Sequence, residues 1–171
     1  MGWKMDWRKF RAWLRDEFNV TNAYMFIGYM PNYEEMYTQM HDLGYLIVLK
    51  PTLEMYAAPE GAPASETVPG APKPEERVKP AVKGNIDAEM VLYAMKEMAS
   101  YEKAIIVSGD GDFYCLVEYL DQQKKLMHIM APNRQYSTLL RPYEKYVIRI
   151  DQLRGTLAYR DFKKRRPAKD K

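Results

Sequence analysis

A single cysteine, Cys115, excludes both an intramolecular disulfide and a zinc centre built on paired thiolates, and reads as a small core residue. Histidine is nearly as scarce. Only His41 and His128 occur, no metal-ligand spacing joins them, and both read as structural, one on a helix face and one inside a strand. No run approaches the ~20 uninterrupted apolar residues of a membrane span. The N-terminus, with Lys4, Asp6, Arg8, Lys9 and Arg11, lacks the apolar core of a signal peptide. A soluble, cytoplasmic protein with no membrane partner is therefore expected. Also absent are a Gly-x-Ser-x-Gly elbow, a Walker loop and a Gly-x-Gly-x-x-Gly fingerprint, which removes support from serine hydrolase, nucleotide hydrolase and dinucleotide-binding readings. A calcium loop starting at Asp110 fails as well, since Tyr114 would take its fifth position and Cys115 the place of its glycine.

What is present is a chain of 171 residues, 47% of them hydrophobic, enough for one domain with a real core over residues 1–160. The net charge of +3 only weakly favours acidic partners. Its distribution says more, because Lys163, Lys164, Arg165, Arg166, Lys169 and Lys171 make residues 161–171 a basic tail. Such a tail can lie along phosphates or simply stay solvated.

Apolar residues at 7, 10, 13, 14 and 18 predict an amphipathic helix over 6–18. Residues 23–29 and 45–49 read as buried strands, with a helix over 33–43 between them that Gly44 closes. Six of the eleven prolines fall in 57–80, where large apolar residues are rare, so a flexible insertion is expected over 57–82. A helix follows over 87–98, its Met90, Val91, Met95 and Met98 read as core filling. The apolar run 104–107 is a strand of the parallel type, leading into Ser108-Gly109-Asp110-Gly111-Asp112 and a helix over 113–123. Strands over 126–130 and 146–150, with a short helix over 137–140 between them, complete the pattern. Such alternation predicts an α/β fold, a largely parallel sheet between helices, with ligands bound beyond the carboxyl ends of the strands.

Asp110 and Asp112 flank one glycine, so a tight turn can aim both carboxylates into one crevice. Two neighbouring anions repel unless a cation lies between them. A hard divalent ion, Mg²⁺ or Mn²⁺, held at about 2.1 Å by oxygens and keeping several waters, suits them. The local pattern also allows Asp112 to cap the next helix while Asp110 closes a turn. Asp87, at the start of its helix after Lys83-Gly84-Asn85-Ile86, is a third candidate if neighbouring units open towards the same crevice, although a cap would explain it too. Glu89 is expected to face elsewhere, as a reserve ligand, and Lys83 to contact a phosphate or be solvated. Tyr29, Tyr33 and Phe113 could stack on unpaired bases or serve as packing.

The pair formed by Lys83-Gly84-Asn85-Ile86-Asp87 and, about twenty residues on, Ile105 to Phe113 through Ser108-Gly109-Asp110-Gly111-Asp112 resembles the signature of NYN domains, the LabA-like group in particular. The likeness extends over roughly residues 6–158. It implies a PIN-like three-layer sandwich with an acidic site that hydrolyses RNA phosphodiesters. Asp87, Asp110 and Asp112 would be the catalytic metal ligands for one Mg²⁺ or Mn²⁺, supported by Ser108 and Asn85, with Lys83, Lys163, Lys164, Arg165 and Arg166 holding RNA. Two departures stand out. Family members begin with a strand bearing Asp and a nearby Asn, whereas this chain begins at the following helix. Tyr93 also stands where the family often has a further acid. Loss of the first strand, normally central, would remove a ligand and leave two edges unpaired. Met1 as an internal methionine of a longer reading frame is the preferred explanation, ahead of a homodimer or partner chain filling the gap, or an inactive fragment.

The leading expectation is thus a metal-dependent endoribonuclease or its impaired descendant. A non-catalytic RNA-binding or regulatory module is the alternative. A phosphatase of the haloacid dehalogenase type ranks lower, because its Asp-x-Asp follows the first strand and precedes Thr or Val, not Phe113-Tyr114.

Overall fold

The computed structural model describes residues 2–50 and 86–160, so the proline-rich insertion, Lys83, Asn85 and the basic tail lie outside the described residues. The elements run α1 (Trp7–Phe18), β1 (Tyr24–Gly28), α2 (Glu34–Asp42), β2 (Leu46–Lys50), α3 (Asp87–Lys96), β3 (Ala104–Ile106), α4 (Tyr114–Gln122), β4 (Leu126–Ala131), β5 (Val147–Arg149) and α5 (Arg154–Leu157). Asp6 caps α1, accepting from the Arg8 and Lys9 amides, and Asn19 closes it in the left-handed region at φ 54°. Gly44, at φ +87°, turns the chain from α2 into β2, as its position after the helix predicts. The short helix expected at 137–140 is a longer 3₁₀ stretch, Thr138–Tyr146, capped by Ser137 and kinked at Tyr143 near Pro142. The small closing helix α5 had no counterpart in the sequence reading.

Among the described residues all ladders between strands are parallel, and they form two sheets, β1-β2 and β3-β4-β5. Alternation along each strand divides the core into layers. Ile106 and Ile129 join Leu116, Val117, Leu120 and Leu140 on one face, with Met90, Val91 and Ala94 of α3 against them. Ile105 and Met130 point the other way, to Phe10 and Leu14 of α1 and Leu157 of α5. In the smaller sheet, Tyr24 and Phe26 meet Tyr93 of α3, whereas Met25 and Ile47 pack with Met40 of α2. The result is a three-layer α/β sandwich with α1, α2 and α5 on one side and α3 and α4 on the other.

Helix α3 touches both sheets, and α1 lies against the larger one while holding the turns that flank β1 and β2. Arg11 of α1 donates to the carbonyls of Gly44, Val20 and Thr21 beside β1 and β2, while Phe10 lies against the larger sheet. The Lys50 ammonium, at the end of β2, pairs with Glu89 of α3 at 2.8 Å. Among the described residues no ladder joins β1 to β3.

Three expectations need correcting. Strands β1 and β2 are not buried throughout, since Tyr24, Leu46 and Leu49 are exposed. Met95 and Val107 are exposed instead of core. Cys115 is exposed too, because the buried face of its helix is set by Phe113, Leu116, Val117 and Leu120, and position 115 falls off that face. His128 is structural as expected, its ring edge-on to Phe18 with Nδ1 3.3 Å from the Tyr146 carbonyl, whereas His41 is exposed.

Candidate functional site

The loops that leave β3 and β4 at their carboxyl ends enclose a cleft of about 550 Å³, with residues 108–112 on one wall and Pro132, Asn133, Gln135, Tyr136, Ser137 and Leu139 on the other. The acidic wall is organised by its own backbone. Ser108 Oγ accepts from the Asp110 amide at 3.1 Å, and Asp110 Oδ1 accepts from the Asp112 amide at 3.1 Å, capping the 3₁₀ turn Gly111–Phe113. Asp110, and not Asp112, is thus the capping residue. Both carboxylates are exposed to the cleft.

The opposite wall is fastened at both ends. The Ser137 amide donates to the Gly109 carbonyl at 2.9 Å, and the Asp151 amide donates to the Pro132 carbonyl at 3.1 Å. Inside it, the Gln135 amide donates to Asn133 Oδ1 at 2.7 Å and the Leu139 amide to Ser137 Oγ at 3.3 Å. Glycine is needed here for space rather than for conformation, since neither Gly109 nor Gly111 has a positive φ. A Cβ on Gly111 would collide with Ser137 Oγ and lie 3.1 Å from Leu139 Cδ1. One on Gly109 would lie 3.1 Å from Tyr136 Cβ and 3.2 Å from Pro132 Cδ. The Gly-Asp-Gly-Asp spacing therefore lets the two walls close together as well as separating the carboxylates.

Among the described residues no basic side chain lines the cleft. Arg149 is held by Asp151 at 2.7 Å, and that guanidinium keeps the Asp151 carboxyl below the usual range. Glu89 faces Lys50, whose hydrogen bond lowers its pKa. Asp87 occupies the first turn of α3, whose residues touch the 111–113 turn, but it does not line the cleft. The structure thus lines the cleft with Asp110, Asp112 and Ser108, and Asp87 is not among the lining residues although its helix touches their turn. Among the described residues no three His, Cys, Asp or Glu side chains gather closely enough to hold a metal ion. Two exposed carboxylates in one cleft do fit the looser way in which Mg²⁺ is held, by one or two carboxylates with water and phosphate completing its shell. Of the candidate stacking rings, Phe113 is core, 5% exposed, Tyr29 donates to Glu34 at 2.9 Å, and Tyr33 is exposed.

Sequence reasoning missed the second wall. Its signal was the polar loop Pro132-Asn133-Arg134-Gln135 directly after a buried strand, at the end of the sheet where ligands bind.

No helix among the described residues is long and apolar enough to cross a membrane. No curated protein matches the chain. Among solved structures, a protein of unknown function from Vibrio parahaemolyticus is similar, with a TM-score of 0.62 and 23% identity over 91% of this chain and 83% of that one. At that identity the likeness shows the fold alone. The NYN domain model matches residues 1–151, and NYN domains are part of the PIN-like nuclease superfamily, whose members typically use divalent metals. With most of its length matched, and with acidic side chains exposed in a cleft at the carboxyl ends of β3 and β4, the chain belongs to the NYN domain family.

Proposed function

We propose that the cleft between residues 108–112 and 132–139 is the active site of a divalent-metal-dependent endoribonuclease of the LabA-like group, acting on cytoplasmic RNA. The observation that carries this reading is the exposure of Asp110 and Asp112 in one cleft beyond the parallel strands of an NYN chain. These two carboxylates would hold one Mg²⁺ or Mn²⁺, with Asp87 nearby on α3. When bound, such an ion supplies a water acidified towards neutral pH and offsets charge on the phosphoryl oxygens. The chain's own residues fix the geometry. Ser108 holds the Asp110 amide, and the Asp110 cap commits only one carboxylate oxygen, in a loop where both Asp110 and Asp112 line the cleft. Lys83, Asn85 and the tail cations Lys163, Lys164, Arg165 and Arg166 are proposed to contact phosphates around it.

A further strand, carrying another carboxylate, is proposed to complete the unit between β1 and β3. Support comes from α3, which covers both sheets, from α1, which bridges the larger sheet and the turns flanking β1 and β2, and from β1 and β3, which no ladder joins among the described residues. A longer form of the chain or a partner chain would supply it.

A non-catalytic RNA-binding module of the same fold is the second reading. It is favoured by the gathering of two carboxylates, where a closed metal cage would need more. Incubating a labelled, unstructured RNA with the protein in Mn²⁺, Mg²⁺ or EDTA separates the readings. Cleavage is expected in metal only, and Asp110→Asn should reduce it about a hundredfold, the scale of losing one group that stabilises a transition state. RNA binding without metal-dependent cleavage would favour the second reading.

A further inference from the structure

The wall formed by residues 133–139 faces the carboxylates but contains none itself. Its most defined polar group is Asn133. Because Asn133 Oδ1 accepts from the Gln135 amide at 2.7 Å, the side-chain amide cannot flip without losing that bond. Its Nδ2 is therefore held as a donor, and no protein acceptor is in reach of it among the described residues. Beside it, Tyr136 packs on the core and Leu139 remains 55% exposed, an apolar side chain at the mouth of a polar cleft. The wall is pinned to the acidic loop by the bond from Ser137 to Gly109, so these groups hold a fixed position relative to Asp110 and Asp112.

Taking the cleft as an RNA site, as proposed above, we infer that this wall is a subsite for one unpaired base, with Leu139 and Tyr136 as its platform and the Asn133 amide as a donor to the base edge. A volume of about 550 Å³ suits one nucleotide and not a duplex, whose base edges are in any case paired. A fixed donor that meets the exocyclic group at C4 of a pyrimidine or C6 of a purine favours the carbonyl of uracil or guanine over the amino group that cytosine or adenine carries there. Apolar contact with the ring would be indifferent to sequence.

The test is binding of labelled U12, A12 and C12, a hairpin duplex, and uridine monophosphate, all in EDTA so that metal-dependent turnover is absent. Three forms of the full chain are compared, wild type, Asn133→Asp and Leu139→Ala. The aspartate keeps an oxygen for the Gln135 amide and replaces the donor by an acceptor. Wild type is expected to prefer U12 over A12 and C12 by about three- to tenfold, the scale of one hydrogen bond. Asn133→Asp weakens all binding through its charge, and should abolish or invert that ratio. Leu139→Ala should weaken every single strand alike. A ratio unchanged in Asn133→Asp, equal binding of U12 and the duplex, or failure of uridine monophosphate to compete with U12 at any concentration would each overturn the subsite. RNA cleavage that still required metal and Asp110 would leave the nuclease reading standing in those cases. Absence of both cleavage and binding would remove the two together.

Discussion

At the scale of single residues, the site depends on two glycines. A methyl group at Gly111 points into Ser137, whose hydroxyl and amide are both committed, to the Leu139 amide and the Gly109 carbonyl. Gly111→Ala should therefore destabilise the protein by about 1–3 kcal/mol, as overpacking does. Adding Ser137→Ala should restore part of that loss by removing the colliding oxygen. Urea unfolding of both variants measures it, and a silent Gly111→Ala would mean that the walls are not in contact. The carboxylates were legible because Asp-Gly-Asp after an apolar strand is a local pattern. The contact with Ser137 was not, since it joins positions 26 apart that local patterning cannot bring together. Cys115 shows the same limit from the other side. Scarcity suggested core, while helical phase against Phe113, Leu116 and Leu120 put it outside.

At the scale of elements, α1, α2, α3, α4 and the five strands could be read from periodicity and turn residues, with ends shifted by at most two positions. Burial of β1 and β2 could not. An apolar run signals a strand covered on both faces, but Leu46 and Leu49 are exposed among the described residues. The ion pair of Lys50 with Glu89 was equally hidden, because it links β2 to a helix beyond the proline-rich segment. It gives α3 a pH-dependent tie. Hydrogen bonding to Lys50 lowers the Glu89 pKa from the usual 4.5, so the group's contribution to stability is complete above that value. It is lost as pH falls through the lowered, folded value. The stability difference between wild type and Glu89→Gln should accordingly be largest above about pH 4.5 and close in more acid solution. Urea midpoints across that range would reveal a constant difference if the pair contributed nothing.

At the scale of the whole molecule, two parallel sheets share one layer through helices that bridge them, and the cleft opens at the end of the larger one. β4, bonded on both edges by β3 and β5 and bearing fully buried Ile129 and Met130, is the most protected element. Its amides should exchange with solvent only by global unfolding, while those of β1 and β2 exchange through smaller openings. Equal protection of the two sheets would mean that the layer is continuous. The three-layer architecture was legible as a pattern of alternating elements. Its division into two sheets follows from which strands find partners, and the chain's local patterns do not encode that.

If Asp110 and Asp112 make this cleft a divalent-metal site, as proposed, Mn²⁺ must settle beside them. Paramagnetic broadening of amide signals during a Mn²⁺ titration tests it most directly. Broadening is expected to centre on residues 108–112 and reach Asn133 to Ser137 across the cleft, and to be lost in a variant carrying Asp110→Asn and Asp112→Asn. Broadening centred elsewhere, or unchanged in that variant, would contradict it.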